Sequence, residues 1–116
     1  ETNYSRSIFY LKYFCAMVLY NITFNVELGV FADFKEFLTE NHLPTLSNNS
    51  GIIEHKLFKL LNVDESEAMT ITLQYFLQDL GTYNQHIAVI DTKLKKEIYE
   101  QYGEKVLYFC SVLEKI

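Results

Sequence analysis

The three histidines are the side chains best suited to metal binding or proton transfer, but their spacing supports neither role. His42, His55 and His86 lie on separate segments, and Glu54 beside His55 is the one potential ligand found next to any of them. A metal or general-base site needs several convergent groups. The sequence therefore predicts surface or partly buried histidines, with no metal site and no catalytic residues.

Familiar catalytic motifs are absent from the sequence. There is no glycine-rich dinucleotide loop, phosphate-binding loop, HExxH zinc motif, CxxC pair or GxSxG elbow. The carboxylates Glu97, Glu100 and Glu104 alternate with lysines, as on a solvated helix face. We therefore expect no enzyme, cofactor or small-molecule substrate. An enzyme with an unfamiliar site stays open as an alternative and would require a pocket with convergent ionisable groups.

Composition places the chain among ordered domains. Its 116 residues suit one domain, and they include nine Phe and nine Tyr but only four Gly and one Pro. Ten Lys and Arg residues are scattered among fifteen Asp and Glu residues, for a formal charge of −5. Because phosphate binding needs clustered cations, nucleic acid is not an expected partner.

The two cysteines lie in apolar surroundings near opposite ends of the chain. Cys15 and Cys110 show no metal-site spacing, and a free cysteine behaves as a small core residue. We predict buried free thiols. The alternative is a disulfide between Cys15 and Cys110, which could form if the terminal helices pack antiparallel.

The stretch from Asp64 to Gly81 gives the clearest structural signal. Asp64 followed by Glu67 is a capping-box pattern, and apolar residues then recur at spacings of three and four. Gly81 supplies a residue suited to ending a helix. This pattern predicts a helix, around which the rest of the chain would pack.

Similar patterns predict helices through most of the chain. The predicted helices are Asn3 to Tyr20, Val26 to Asn41, a short one from Ile53 to about Asn62, Asp64 to Gly81, and a long one from Thr82 to Ile116. Pro44 and residues 47–51 indicate a loop. The first helix contains Lys12 and is too short an apolar run to span a membrane. The predicted fold is all-α, a single bundle of about five helices with a long C-terminal helix.

Several short motifs follow the order found in stage III sporulation protein AB of clostridia-like Firmicutes. They are Tyr4-Ser5-Arg6, Asn21-Ile22-Thr23-Phe24, Phe34 through Leu38, Tyr75-Phe76, Leu80-Gly81 and Tyr102-Gly103. The chain resembles that family over nearly its whole length. The resemblance implies that residues 1–116 form a single soluble helical domain cut from between two membrane anchors. It also implies a similarity to type II secretion F platform domains.

The same resemblance implies a function and a location. The domain would be a non-catalytic scaffold of the channel between mother cell and forespore. Its partners would be other channel subunits, including a secretion-type ATPase, and it would be associated with the mother-cell membrane that faces the forespore. We predict an exposed docking strip of Tyr10, Tyr13 and Met17 on the first helix. The alternative function is a viral Bcl-2-like helical modulator that binds a partner helix in a groove.

Overall fold

Apolar side chains alternate along the segment that becomes the central strand. The buried residues of this segment are Val18, Tyr20, Ile22, Phe24 and Val26. A period of two places them all on one face of a strand. The computed structural model describes residues 18–46 and 51–116, and in it this segment forms strand β1, Val18–Glu27.

In the described part of the chain, four strands form one antiparallel sheet. Strands β2, β3 and β4 are Ile52–Lys59, Ala68–Leu77 and Val106–Glu114, and the order across the sheet is β2-β3-β1-β4. Strand β1 pairs with both β3 and β4, whereas β2 pairs with β3. Strands β2 and β4 are therefore the two edges of the sheet.

Two helical segments connect the strands. Helix α1, Leu28–Glu36, continues as a π-helical segment, Phe37–His42, and a 3₁₀ turn, Leu43–Leu46. Helix α2, Ala88–Tyr102, is preceded by a helical turn, Leu80–Thr82, and a π-helical segment, Tyr83–Ile87. The order of elements is therefore β1-α1-β2-β3-α2-β4.

One capping side chain and a glycine fix the ends of the second helical segment. The Thr82 backbone N–H donates to Asp79 Oδ1 at 2.8 Å, and this bond starts the segment. Gly103 ends it with a φ of 56° and is followed by the turn Gly103–Lys105 and strand β4. A side chain at Gly103 would be strained by that positive φ.

The core lies between one face of the sheet and the helices. Phe34 of α1 is fully buried and packs edge-on against Phe24 of β1, with ring centroids 5.0 Å apart. Phe34 also meets Tyr102 of α2 at 5.4 Å, and the Tyr102 hydroxyl donates to Asp33 Oδ2 at 2.5 Å. These contacts join both helices and the central strand into one packed unit.

The prediction of an all-α bundle is wrong, because the fold is α+β. Residues 18–20 begin a strand, and the predicted helices at Ile53 to Asn62 and Asp64 to Gly81 correspond to β2 and β3. The predicted long last helix ends at Tyr102, and β4 follows. The second predicted helix is confirmed from Leu28 onward as α1 with its π-helical extension, whereas its first two residues belong to β1. The viral Bcl-2-like alternative is also wrong, since it requires a helical bundle.

The error at β3 has a clear physical origin. Residues 69–77 carry apolar side chains at both helical and strand spacings. The buried set follows the strand spacing, at Ile71, Leu73, Tyr75 and Leu77. Asp64 forms no helix cap, since its Oδ1 accepts from the Ser66 backbone N–H at 2.9 Å in the loop before the strand. Such a local turn competes with helix initiation.

Some predictions fall on residues that the structure does not describe. Tyr10, Tyr13 and Met17, the predicted docking strip, lie outside the described residues, and so does Cys15. Cys110 is a half-buried free thiol. Within residues 18–46 and 51–116, no helix is both long and apolar enough to cross a bilayer.

Truncating Phe34 tests the core. We expect Phe34→Ala to lower the free energy of unfolding by roughly 3–5 kcal/mol, because a fully buried ring leaves a cavity. Urea denaturation measures this loss. Tyr99→Ala is the matched control, since Tyr99 is 74% exposed and its loss should cost within about 0.5 kcal/mol. Equal losses in the two variants would contradict the described packing.

Candidate functional site

A buried histidine and a buried tyrosine form a short polar contact in the described core. His42 is the last residue of the π-helical segment after α1, and Tyr75 lies on the inner face of β3. His42 Nε2 and the Tyr75 hydroxyl oxygen are 2.5 Å apart. Such a short distance is typical of an O–H donor, so we assign Tyr75 as donor and Nε2 as acceptor. The ring proton of a neutral His42 then lies on Nδ1.

Burial keeps His42 neutral. The side chain is 7% exposed, and desolvation lowers its pKa to about 4. The charge of Asp91 acts in the opposite direction, whereas His55 and Lys93 lower the pKa further. Burial also raises the pKa of Tyr75, with the charge of Asp91 adding to it. Both members of the pair are therefore uncharged at neutral pH.

A second polar group lies beside this pair. Asp91 of α2 is buried, and its Oδ2 accepts from Lys95 Nζ at 2.7 Å. Asp91 Oδ1 is buried without a hydrogen-bond partner among the described residues. Burial, followed by neighbouring Cys110 and Asp91, raises the pKa of the Tyr20 hydroxyl. The Tyr20 ring lies 5.8 Å from that of Tyr75. Tyr20 and Asp91 therefore lie beside the His42–Tyr75 pair inside the core.

A cavity of about 170 Å³ opens next to His42. It lies between the end of the first helical segment and α2 and is lined by Asn41, His42, Thr45, Ile90, Lys93, Leu94 and Glu97. The Thr45 hydroxyl donates to the His42 carbonyl at 2.6 Å and so fixes the turn at the cavity wall. The lining combines two aliphatic side chains with a neutral imidazole and a few polar groups.

The arrangement can hold a small molecule more readily than a metal. No group of three or more His, Cys, Asp or Glu side chains suited to a metal exists within residues 18–46 and 51–116. One aliphatic wall and a few fixed polar groups are typical of sites for small organic ligands. His42 and Lys93 can supply N–H donors to such a ligand.

The three histidines considered in the sequence analysis differ in burial and position. His55 and His86 are exposed, whereas His42 is buried and lines the cavity. Glu97, predicted to lie on a solvated face, is half-buried at the cavity. The roles of Tyr75 and Asp91 are not predicted from the sequence. Their positions depend on strand alternation and on contacts between residues distant in sequence. The alternating apolar residues of β3 are the signal that could have placed Tyr75 on the buried face of a strand.

The chain belongs to the family described as Domain of unknown function (DUF4286), which it matches over residues 17–116. Among curated proteins, none matches this sequence. The predicted resemblance to stage III sporulation protein AB is therefore wrong, and so is the proposed role as a sporulation-channel scaffold. The predicted channel partners and mother-cell membrane location depended on that resemblance alone.

Solved structures share the fold at low sequence identity. A dimeric ferredoxin-like protein from an uncultured marine organism has a TM-score of 0.60 and 15% identity, covering 86% of this chain and 96% of that one. A monooxygenase from the gene ActVA-Orf6 of Streptomyces coelicolor, in complex with the ligand Nanaomycin D, has a TM-score of 0.66 and 8% identity, covering 88% and 89%. A candidate antibiotic biosynthesis monooxygenase from Deinococcus radiodurans has a TM-score of 0.65 and 14% identity, covering 86% and 93%.

These likenesses establish a ferredoxin-like α+β fold. Proteins described as monooxygenases are among those that share it. A fold can carry many unrelated functions, and identities this low carry no activity across. The expectation that the chain is not an enzyme therefore stays a prediction.

The pH dependence of stability tests the state of His42. Its pKa is about 4 in the folded protein against an ordinary value of 6.5, so protonation favours the unfolded chain. Neutral His42 therefore contributes on the order of 3 kcal/mol to the free energy of unfolding above pH 6.5, and this contribution is lost as the pH falls toward 4. We expect His42→Gln to remove this part of the acid destabilisation in urea titrations at several pH values. His86→Gln, at an exposed histidine, should leave it in place. An unchanged profile in His42→Gln would show that His42 is not buried and neutral.

Proposed function

We propose that this domain binds a small, ring-sized organic molecule bearing an oxygen acceptor, such as a carbonyl or phenolic group, in the cavity beside His42. The observation that carries the proposal is a neutral imidazole, fixed by Tyr75 and placed at the wall of a cavity of about 170 Å³. A buried polar pair costs stability unless it is fully satisfied. Its position at a cavity, and not deep in a filled core, is consistent with a role in binding.

The size of the cavity limits the ligand. An apolar protein cavity of about 150 Å³ can admit benzene, so a cavity of about 170 Å³ suits a molecule with one ring. Ile90 and Leu94 provide apolar contact for the ring. His42 and Lys93 provide the polar contacts that would orient its oxygen.

The low pKa of His42 favours binding over proton transfer. A general base works best when its pKa is near the working pH. With a pKa of about 4, His42 is a weak base at neutral pH but a stable neutral hydrogen-bonding group. The proposed role is therefore a binding role, in which no proton moves to or from His42.

A protein of the same fold that was solved with an organic ligand supports the proposal in general terms. The Streptomyces coelicolor monooxygenase was solved in complex with the ligand Nanaomycin D, so a domain of this fold can hold an organic ligand. The residues that would bind a ligand in the present chain are inferred from its own cavity.

Titration of the isotopically labelled protein with phenol, benzoate and acetophenone tests the proposal by NMR. We expect at least one probe to shift the resonances of His42, Thr45 and Leu94 together. Its dissociation constant should be on the order of 1 mM, since small ligands gain about 0.3–1.5 kcal/mol per non-hydrogen atom.

Two neighbouring substitutions provide the control. Ile90 lines the cavity and Val89 is exposed beside it, so Ile90→Trp should fill the site while Val89→Trp leaves it open. Both variants are first compared with the wild type by circular dichroism and urea unfolding. Binding lost only in Ile90→Trp supports the site. Failure of every probe, or equal binding by both variants, would overturn the proposed function.

A further inference from the structure

Among the described residues, neither helical segment covers one face of the sheet, and we call this face the open face. It consists of the side chains that alternate with the buried ones: Leu19, Asn21, Thr23 and Asn25 of β1, Glu54, Lys56 and Phe58 of β2, Thr70, Thr72, Gln74 and Phe76 of β3, and Leu107, Phe109, Ser111 and Leu113 of β4. All of these residues are half-buried or exposed. A sheet with its second face in water normally carries polar side chains there.

The strand register arranges the open face in rows. Leu19 lies between Phe76 and Leu113, and this row is apolar across three strands. The next row has Asn21 between Gln74 and Ser111 and is polar.

The row after that joins Phe58, Thr72, Thr23 and Phe109 across all four strands. Phe58 and Phe109 at its two ends are 51% and 66% exposed. Apolar side chains thus lie on both sides of a small polar centre, and the face as a whole mixes apolar and polar groups, as the interfaces of non-obligate complexes do.

Strand β4 adds apolar surface at one edge. Leu107, Phe109 and Leu113 are exposed on the open face, and Tyr108 and Val112 are exposed on the opposite side of the same strand. An edge strand with this many apolar side chains is prone to association unless something covers it.

We propose that a second copy of this chain covers the open face, with the two sheets packed face to face. This inference is independent of the proposed ligand site, because it concerns the opposite side of the sheet. A dimeric protein is among those that share the fold. The family match covers residues 17–116, so all four strands of the open face lie in the part of the chain that matches the family.

The size and charge of the open face suit a second copy. Four strands spaced about 4.8 Å apart, each about 30 Å long, present roughly 600 Å² per copy, or about 1,200 Å² in total. This total reaches the lower end of stable protein interfaces. Lys56 and Glu54 alternate with inward-facing residues on β2 and so share the open face, and the Lys56 ammonium lies 5.3 Å from the centre of the Phe76 ring. Since these opposite charges largely cancel, two open faces would not repel each other strongly.

Sedimentation velocity of the 116-residue chain tests the proposal. We expect a mass of twice 13.7 kDa at micromolar concentration. Phe109→Glu and Phe58→Glu, at opposite edges of the open face, should each weaken dimerisation roughly tenfold or more. Tyr99→Glu is the control, because Tyr99 is 74% exposed, more than either phenylalanine, but lies on α2. It should leave the dimer intact.

A second measurement needs no substitution. In a sample that mixes labelled and unlabelled copies, nuclear Overhauser effects between copies should involve the methyl groups of Leu19, Leu107 and Leu113. A monomeric wild type would overturn the proposal and would indicate that residues 1–17 or a different protein cover the face. A dimer that persists unchanged in both Glu variants, or intermolecular effects confined to α2, would also overturn it.

Discussion

Burial of one side of strand β1 is the constraint on which the rest of the structure depends. Five alternate side chains of this strand are almost completely buried, from Val18 to Val26. A strand cannot shift by one residue without moving that whole set to the other face. Strands β3 and β4 pair with β1 on either side, and both helical segments pack across its inner face. The register of β1 therefore positions every other element of the described fold.

The candidate site follows from the same constraint. The alternation that buries Ile71, Leu73 and Leu77 also turns Tyr75 inward, and its hydroxyl then needs a partner. The π-helical segment after α1 brings His42 to that hydroxyl. Local π-helical geometry often occurs at functional sites. The hydrogen-bonded pair thus joins strand β3 to the end of the first helical segment, and the cavity lies directly beside this junction.

The sequence predicts part of the fold and little of the site. The helix predicted from Val26 to Asn41 is correct from Leu28 onward, because its apolar spacing there fits a helix and conflicts with a strand, whereas Val26 and Glu27 belong to β1. In β3, Leu73 and Leu77 fit both a helical and a strand spacing, so local spacing cannot decide between a helix and a strand. The pairing of β1 with β3 and β4 makes this segment a strand, and such long-range contacts are not visible in one sequence. His42 and Tyr75 are 33 residues apart and meet only through that pairing.

The ring nitrogens of His42 offer the most direct test of this account. A long-range ¹H–¹⁵N correlation spectrum near neutral pH distinguishes the two neutral tautomers and the charged imidazolium. The account predicts a single neutral form with its proton on Nδ1, because Tyr75 donates to Nε2. A charged ring, or two tautomers in rapid exchange as in a solvent-exposed histidine, would contradict the buried pair and the cavity site built around it.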